Sequence, residues 1–174
     1  MKKITLFALL FALTWQTNAQ TSEISLQKRN ELKLDVAYLL LSTVKVEYEY
    51  LLSDWSSMGL VASHNFSSGI IAKTFNPWRT HVLGFYRLYF GSSPTSNFFL
   101  EGGLGITSGE TSSLFGLITP EKYTAFGANI AIGWKWHIEK VGISVDFIYG
   151  IGRLFHNEHP RIYPRAGICV GKRF

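Results

Sequence analysis

Between residues 126 and 153 apolar and non-apolar positions alternate almost without a break. Phe126, Ala128, Ile130, Ile132, Trp134, Trp136 and Ile138, then Val141, Ile143, Val145, Phe147, Tyr149 and Ile151, fall on one side. Gly127, Asn129, Ala131, Gly133, Lys135 and His137, then Gly142, Ser144, Asp146, Ile148, Gly150 and Gly152, fall on the other. A period of two predicts β-strands, because successive side chains point to opposite faces. The link at Glu139 and Lys140 is short enough to predict a hairpin. A soluble sheet would show Lys, Glu and Thr to water, whereas this second face is glycine with a few charges, as suits a cramped interior. The bulky apolar face then looks outward, and over strands this long only lipid accepts it, which predicts a transmembrane β-barrel. At about 3.3 Å per residue, residues 126–138 make roughly 40 Å of strand, which at a tilt near 45° crosses about 28 Å, close to one hydrocarbon core.

The same pattern recurs along the chain. Leu32, Leu34, Val36 and Tyr38 oppose Lys33, Asp35 and Ala37, and a tight connection is expected near Ser42. Val44, Val46, Tyr48 and Tyr50 then oppose Lys45, Glu47 and Glu49, with a turn over 53–57. A third strand over 58–66 alternates too weakly for its faces to be read. Residues 67–79 read as a loop. Val82, Tyr86, Leu88 and Phe90 oppose Arg87, and 91–97 reads as a turn. Phe98, Leu100, Leu104 and Ile106 oppose Glu101, Gly103 and Gly105, followed by a loop over 108–123. After the opening pair and a loop over 154–161, Ile162, Ala166, Ile168, Val170 and Phe174 oppose Arg165, Gly167, Cys169, Gly171 and Arg173. The predicted fold is therefore an eight-stranded antiparallel up-and-down barrel over 31–174. Links after strands two, four and six are short and those after three, five and seven longer, the asymmetry of such barrels, with only the link near Ser42 out of step. Eight strands also close without leaving a sheet edge.

Composition sharpens this reading at four points. Lys2 and Lys3, an apolar run over 4–15 and the small residues Thr17-Asn18-Ala19 predict a cleaved secretory signal over 1–19, ahead of a polar segment over 20–30. Hydrophobic residues make up 47% of the chain and aromatics 15%, yet after Gln20 no continuous apolar run reaches the roughly 20 residues of a transmembrane helix. Without Lys2 and Lys3 the charge of +5 falls to +3, from 15 basic against 12 acidic residues. No basic stripe accompanies that excess, so a nucleic-acid partner is not expected. Cys169 stands alone, which excludes an internal disulfide.

An eight-stranded barrel is just wide enough for its own side chains. The inward positions predict a charge network of Lys33, Lys45, Arg87, Lys135, Arg165 and Arg173 against Asp35, Glu47, Glu49, Glu101 and Asp146. Buried ions must be paired, so near-balance suits a closed interior without an open pore, and a proton or ion path along the same groups is the functional alternative. Trp134, Trp136, Tyr48, Tyr50, Tyr86 and Tyr149 lie on the outward side, as an aromatic girdle requires.

With these features the chain resembles the small outer-membrane barrels of the OmpA and OmpX type. More narrowly it is similar to a family of outer-membrane barrels of unassigned activity, through Lys45-Val46-Glu47-Tyr48-Glu49-Tyr50 and through Arg87-Leu88-Tyr89-Phe90. Phe174, with Val170 and Ile168 at alternate positions before it, resembles the C-terminal signal read by the barrel-assembly machinery, although Lys172 departs from the usual apolar residue. The resemblance implies the outer membrane of a Gram-negative bacterium, with outer-membrane lipid and that machinery as partners and an unidentified extracellular ligand at the loops. No peptidoglycan-binding segment is read after the last strand, so an anchoring role is not expected.

Candidate chemistry is sparse. His156-Asn157-Glu158-His159 offers metal-ligand types, but a loop supplies no second layer of support, so no metal or cofactor is expected. His64, His81 and His137 lie near strand ends, and no spacing singles out a nucleophile, base and orienting acid. The expectation is a structural or interacting barrel rather than an enzyme. The alternatives are a membrane-embedded lipid-modifying or proteolytic enzyme, or a soluble lipocalin-like carrier with its Ile, Val and Trp face turned inward.

Overall fold

The computed structural model describes residues 28–66, 78–91, 98–110, 122–155 and 162–174. The signal read over 1–19, most of the polar segment after it, His156, His159 and most of the three long loops lie outside the described residues. Eight strands follow in chain order: β1 (Asn30–Asp35), β2 (Thr43–Ser53), β3 (Ser56–Asn65), β4 (Trp78–Phe90), β5 (Phe98–Glu110), β6 (Lys122–Ile138), β7 (Ile143–Leu154) and β8 (Ile162–Arg173). Each pairs antiparallel with its neighbours, and β8 returns to β1, so the sheet is a closed barrel. At the closing seam Asn30 and Phe174 exchange both backbone hydrogen bonds, at 3.2 and 2.8 Å.

Three local expectations are corrected. The alternation through Tyr38 predicts a longer first strand, but β1 ends at Asp35 and a single turn of helix, α1 (Val36–Leu39), follows. The Asp35 carboxylate accepts the N–H groups of Ala37 and Tyr38 at 3.1 and 3.3 Å, so local capping overrides the strand pattern. The β6–β7 link is four residues rather than two, and Val141 belongs to it. Gly142 turns the chain there at a φ of +69°, a conformation that glycine adopts without a Cβ penalty. The β5–β6 hairpin runs further than expected, to the pair Glu110 and Lys122, because Thr107, Ser108, Gly109 and Thr124 keep strand geometry without an apolar signature.

The faces divide as the alternation predicts. Ile132, Trp134, Phe147 and Ile151 are exposed on the outside, 47–58%, while Glu47, Lys135 and Asp146 are buried at 0–1%. β3, unreadable in sequence, turns Met58 and Leu60 out and Val61 and Ser63 in. Charge is only part of the interior. Trp78, Tyr123, Ala125, Leu154 and Tyr163 cluster at the loop end, Val61, Leu83 and Phe85 form a second group, and Tyr89, Phe99, Ala131, Ile148 and Cys169 a third. Inward glycines make room for these rings: a Cβ on Gly133 would overlap the ring of Phe99.

Candidate lumen charge network

Period-two alternation brings at least one charged side chain inside the barrel from every strand but β3. All eleven residues of the expected network point inside the barrel and are buried, none more than 5% exposed. Glu31 joins them, fully buried, which makes six acids against six bases. It lies two positions before Lys33, on the same parity, just ahead of Leu32, the first apolar position of the alternation.

Lys33 is one hub. Its Nζ lies 2.5 Å from Asp146, 3.1 Å from Glu31 and 3.2 Å from Glu47, and it also pairs with Glu49. Arg87 is the other. Its Nη1 donates to Glu49 and Asp146 at 2.9 Å, its Nε donates to Glu101 at 2.9 Å, and its Nη2 stands 2.9 Å from Glu47. The rings of Phe85 and Phe99 flank its guanidinium at 4.4 and 4.5 Å, a desolvated cation–π sandwich. Lys135 Nζ bridges Glu31 and Glu49 at 2.9 and 2.8 Å. Arg165 Nε donates to Glu101 at 2.9 Å, and Arg173 Nε donates to Glu31 at 2.6 Å. Glu49 also accepts the hydroxyl protons of Tyr89 and Ser57, two partners without formal charge and therefore missed by a search for ions. Such bidentate and bridging contacts are the strong kind of buried ion pair.

Asp35 and Lys45 pair with each other at 2.7 Å beside β8 rather than at the axis. Glu47, Glu49 and Asp146 hold carboxylate oxygens within 4.8 Å of one another, a spacing that would suit a metal ion. The Lys33 ammonium touches all three, so a fixed cation already stands where a metal would bind.

Other expected residues are not brought together. His64 bonds Thr80 at 3.0 Å, His81 packs inside near Trp78 and Tyr163, and His137 bonds Ser144 at the opposite end. Phe174, Val170 and Ile168 line the outer face of β8. Val170 pairs with Leu34, whereas Ile168 lies just past the last paired residue of β1.

In fold the chain is similar to the crystal structure of the N-terminal β-barrel domain of Pseudomonas aeruginosa OprF, with a TM-score of 0.58 over 85% of this chain and 100% of that one. Sequence identity is 13%, so the likeness is one of fold. No protein-family model matches the chain, and no curated protein does. The narrower family likeness read from residues 45–50 and 87–90 therefore finds no counterpart in these comparisons.

Proposed function

We propose that this chain is a structural barrel of a Gram-negative outer membrane, with its interior sealed by the charge network and its loops offered to an extracellular partner. The observation that carries the reading is the inversion of an ordinary soluble protein: Trp134, Ile132 and Phe147 outside, Lys135, Glu101 and Asp146 inside. No helix among the described residues is long and apolar enough to cross a membrane, so crossing rests on the strands. The fold shared with the OprF barrel domain supports the same location. A lipocalin-like carrier would need the two faces exchanged.

The seal follows from charge balance. Six bases and six acids are buried inside the barrel, so a passing ion would have to displace partners that are themselves buried. In this reading the network excludes solutes and holds the strands in register, no catalytic residue is assigned, and adhesion or membrane stabilisation is the role of the whole. Phe174, Val170 and Ile168 supply the assembly signal, and membrane lipid is the standing partner.

The test is refolding of the mature chain in detergent and electrophoresis with and without boiling, followed by planar-bilayer recording. A heat-modifiable, β-rich form that leaves the bilayer non-conducting supports the proposal. Ready solubility in plain buffer would overturn the membrane reading, and a steady open conductance would overturn the seal.

A further inference from the structure

Among the described residues the barrel wall is interrupted between β1 and β8. β1 is six residues long and β8 twelve, and their pairing stops at Asp35 with Cys169. Residues 162–168 of β8 therefore have no strand beside them on the β1 side, and α1, which touches both β8 and β2, crosses the gap.

Side chains stand in for the absent strand. Because Asn30 and Phe174 exchange both hydrogen bonds, the even-numbered residues of β8 aim their backbone groups at β1. In the interrupted stretch the Ile168 N–H donates to Asp35 Oδ1 at 3.2 Å. The Ala166 carbonyl accepts from Lys45 Nζ at 3.2 Å. Pro164 has no N–H to satisfy, as befits a strand edge. Lys45 also holds Asp35 and lies 4.2 Å from the centre of the Tyr38 ring, so one ion pair fastens α1 to β8.

The outer side of this seam is apolar, and on the inner side Arg165, held by Glu101, stands between the latch at Gly167 and an aromatic cluster. Outside, a furrow of about 540 Å³ is lined by Trp134, Phe147, Tyr149, Ile168, Ala166 and Ala37. Inside, Tyr163 of the same stretch packs edge-on against Trp78 at 4.9 Å, within the loop-end cluster. At Gly167 the wall is one backbone thick: its outer side lines the furrow, and a Cβ on its inner side would meet Asp35 and Lys45. A four-residue helix has little stability of its own, so what closes the wall here is the latch.

We propose that α1 is a strap over a lateral opening in the barrel wall, latched by Asp35 and Lys45, through which an acyl chain of a membrane lipid passes between the outer furrow and the loop-end interior. The inference rests on the membrane reading. The apolar furrow outside and the aromatic cluster beyond the latch and Arg165 fit a hydrocarbon chain.

The test uses the refolded chain in bilayers of phosphatidylcholine carrying a photoreactive diazirine near the end of one acyl chain, with adducts mapped by mass spectrometry. The inward residues Tyr163 and Cys169 should carry adducts above the level at Val61 and Leu83, which face inward on fully paired strands. Lys45→Met should raise the adducts at Tyr163 and Cys169 several-fold, and Ala166→Trp, which fills the furrow, should return them to background. Should Lys45→Met not fold, the comparison of the natural chain with Ala166→Trp decides alone. An inserted, heat-modifiable barrel with Tyr163 and Cys169 at background overturns the strap and leaves the membrane reading standing. A chain that does not insert overturns both.

Discussion

Arg87→Met is the perturbation that loads the charge network most heavily. The substitution keeps a long apolar stem between Phe85 and Phe99 but removes the guanidinium that meets Glu47, Glu49, Glu101 and Asp146. Removing one partner of a buried pair costs about 3–5 kcal/mol, because the remaining charge stays buried without compensation. The lost cation–π sandwich adds about 2 kcal/mol, partly recovered by thioether contact with the same rings. A net loss of about 4 kcal/mol is expected, roughly a thousandfold in the folded-to-unfolded ratio. Against a typical total of about 5–15 kcal/mol that is a large shift in the urea midpoint. It is measured by unfolding in detergent micelles at constant slope. Asp146→Asn in the same chain removes one acid as well, returning the network to balance while Lys33 keeps Glu31, Glu47 and Glu49. The double variant should regain part of the loss, a coupling of about 0.5–3 kcal/mol. A cost for Arg87→Met below about 1 kcal/mol, as for ion pairs in water, would refute the reasoning. Strict additivity of the two changes would do the same.

Three further outcomes follow. Gly133→Ala places a methyl group against the Phe99 ring and should lower the urea midpoint by an overpacking cost of about 1–3 kcal/mol, whereas Gly102→Ala, with open space around its Cβ, should stay within about 0.5 kcal/mol. Ile132→Arg on the outer face should cost about 2–4 kcal/mol when unfolding is followed in vesicles, whereas a cost within about 0.5 kcal/mol, as at a water-exposed site, would contradict a lipid-facing position. Phe174→Ala should reduce the amount of barrel reaching the outer membrane in cells while the purified chain still refolds to a heat-modifiable form; equal recovery from cells would remove Phe174 from the assembly signal.

Much of this was legible because a barrel strand writes its two faces directly into the sequence. β6 and β7 alternate without interruption, so their orientation needed no structure, and Lys135 and Asp146, which pair across the hairpin, were placed inside together. What escaped did so for local reasons. Asp35 serves at once as an inward charge, a helix cap and an edge partner for β8, and the apolar positions Val36 and Tyr38 after it mimic strand alternation. Glu31 stands ahead of Leu32, the first apolar position of the alternation, so nothing before it marked its parity with Lys33. Tyr89 and Ser57 bind Glu49 through hydroxyls, and nothing about an inward tyrosine or serine announces that partner. β3 hid its faces because Gly59, Ala62, Ser63 and His64 vary little in polarity across the two sides.

In the proposed membrane orientation the greasy face meets hydrocarbon while the ions fill the interior. Fluorescence of Trp134, kept as the sole tryptophan of the mature chain and reconstituted with lipids brominated along their acyl chains, tests it most directly. Strong quenching by the bromolipid and little by aqueous iodide is the expected result. Emission that iodide quenches and the bromolipid does not would contradict it.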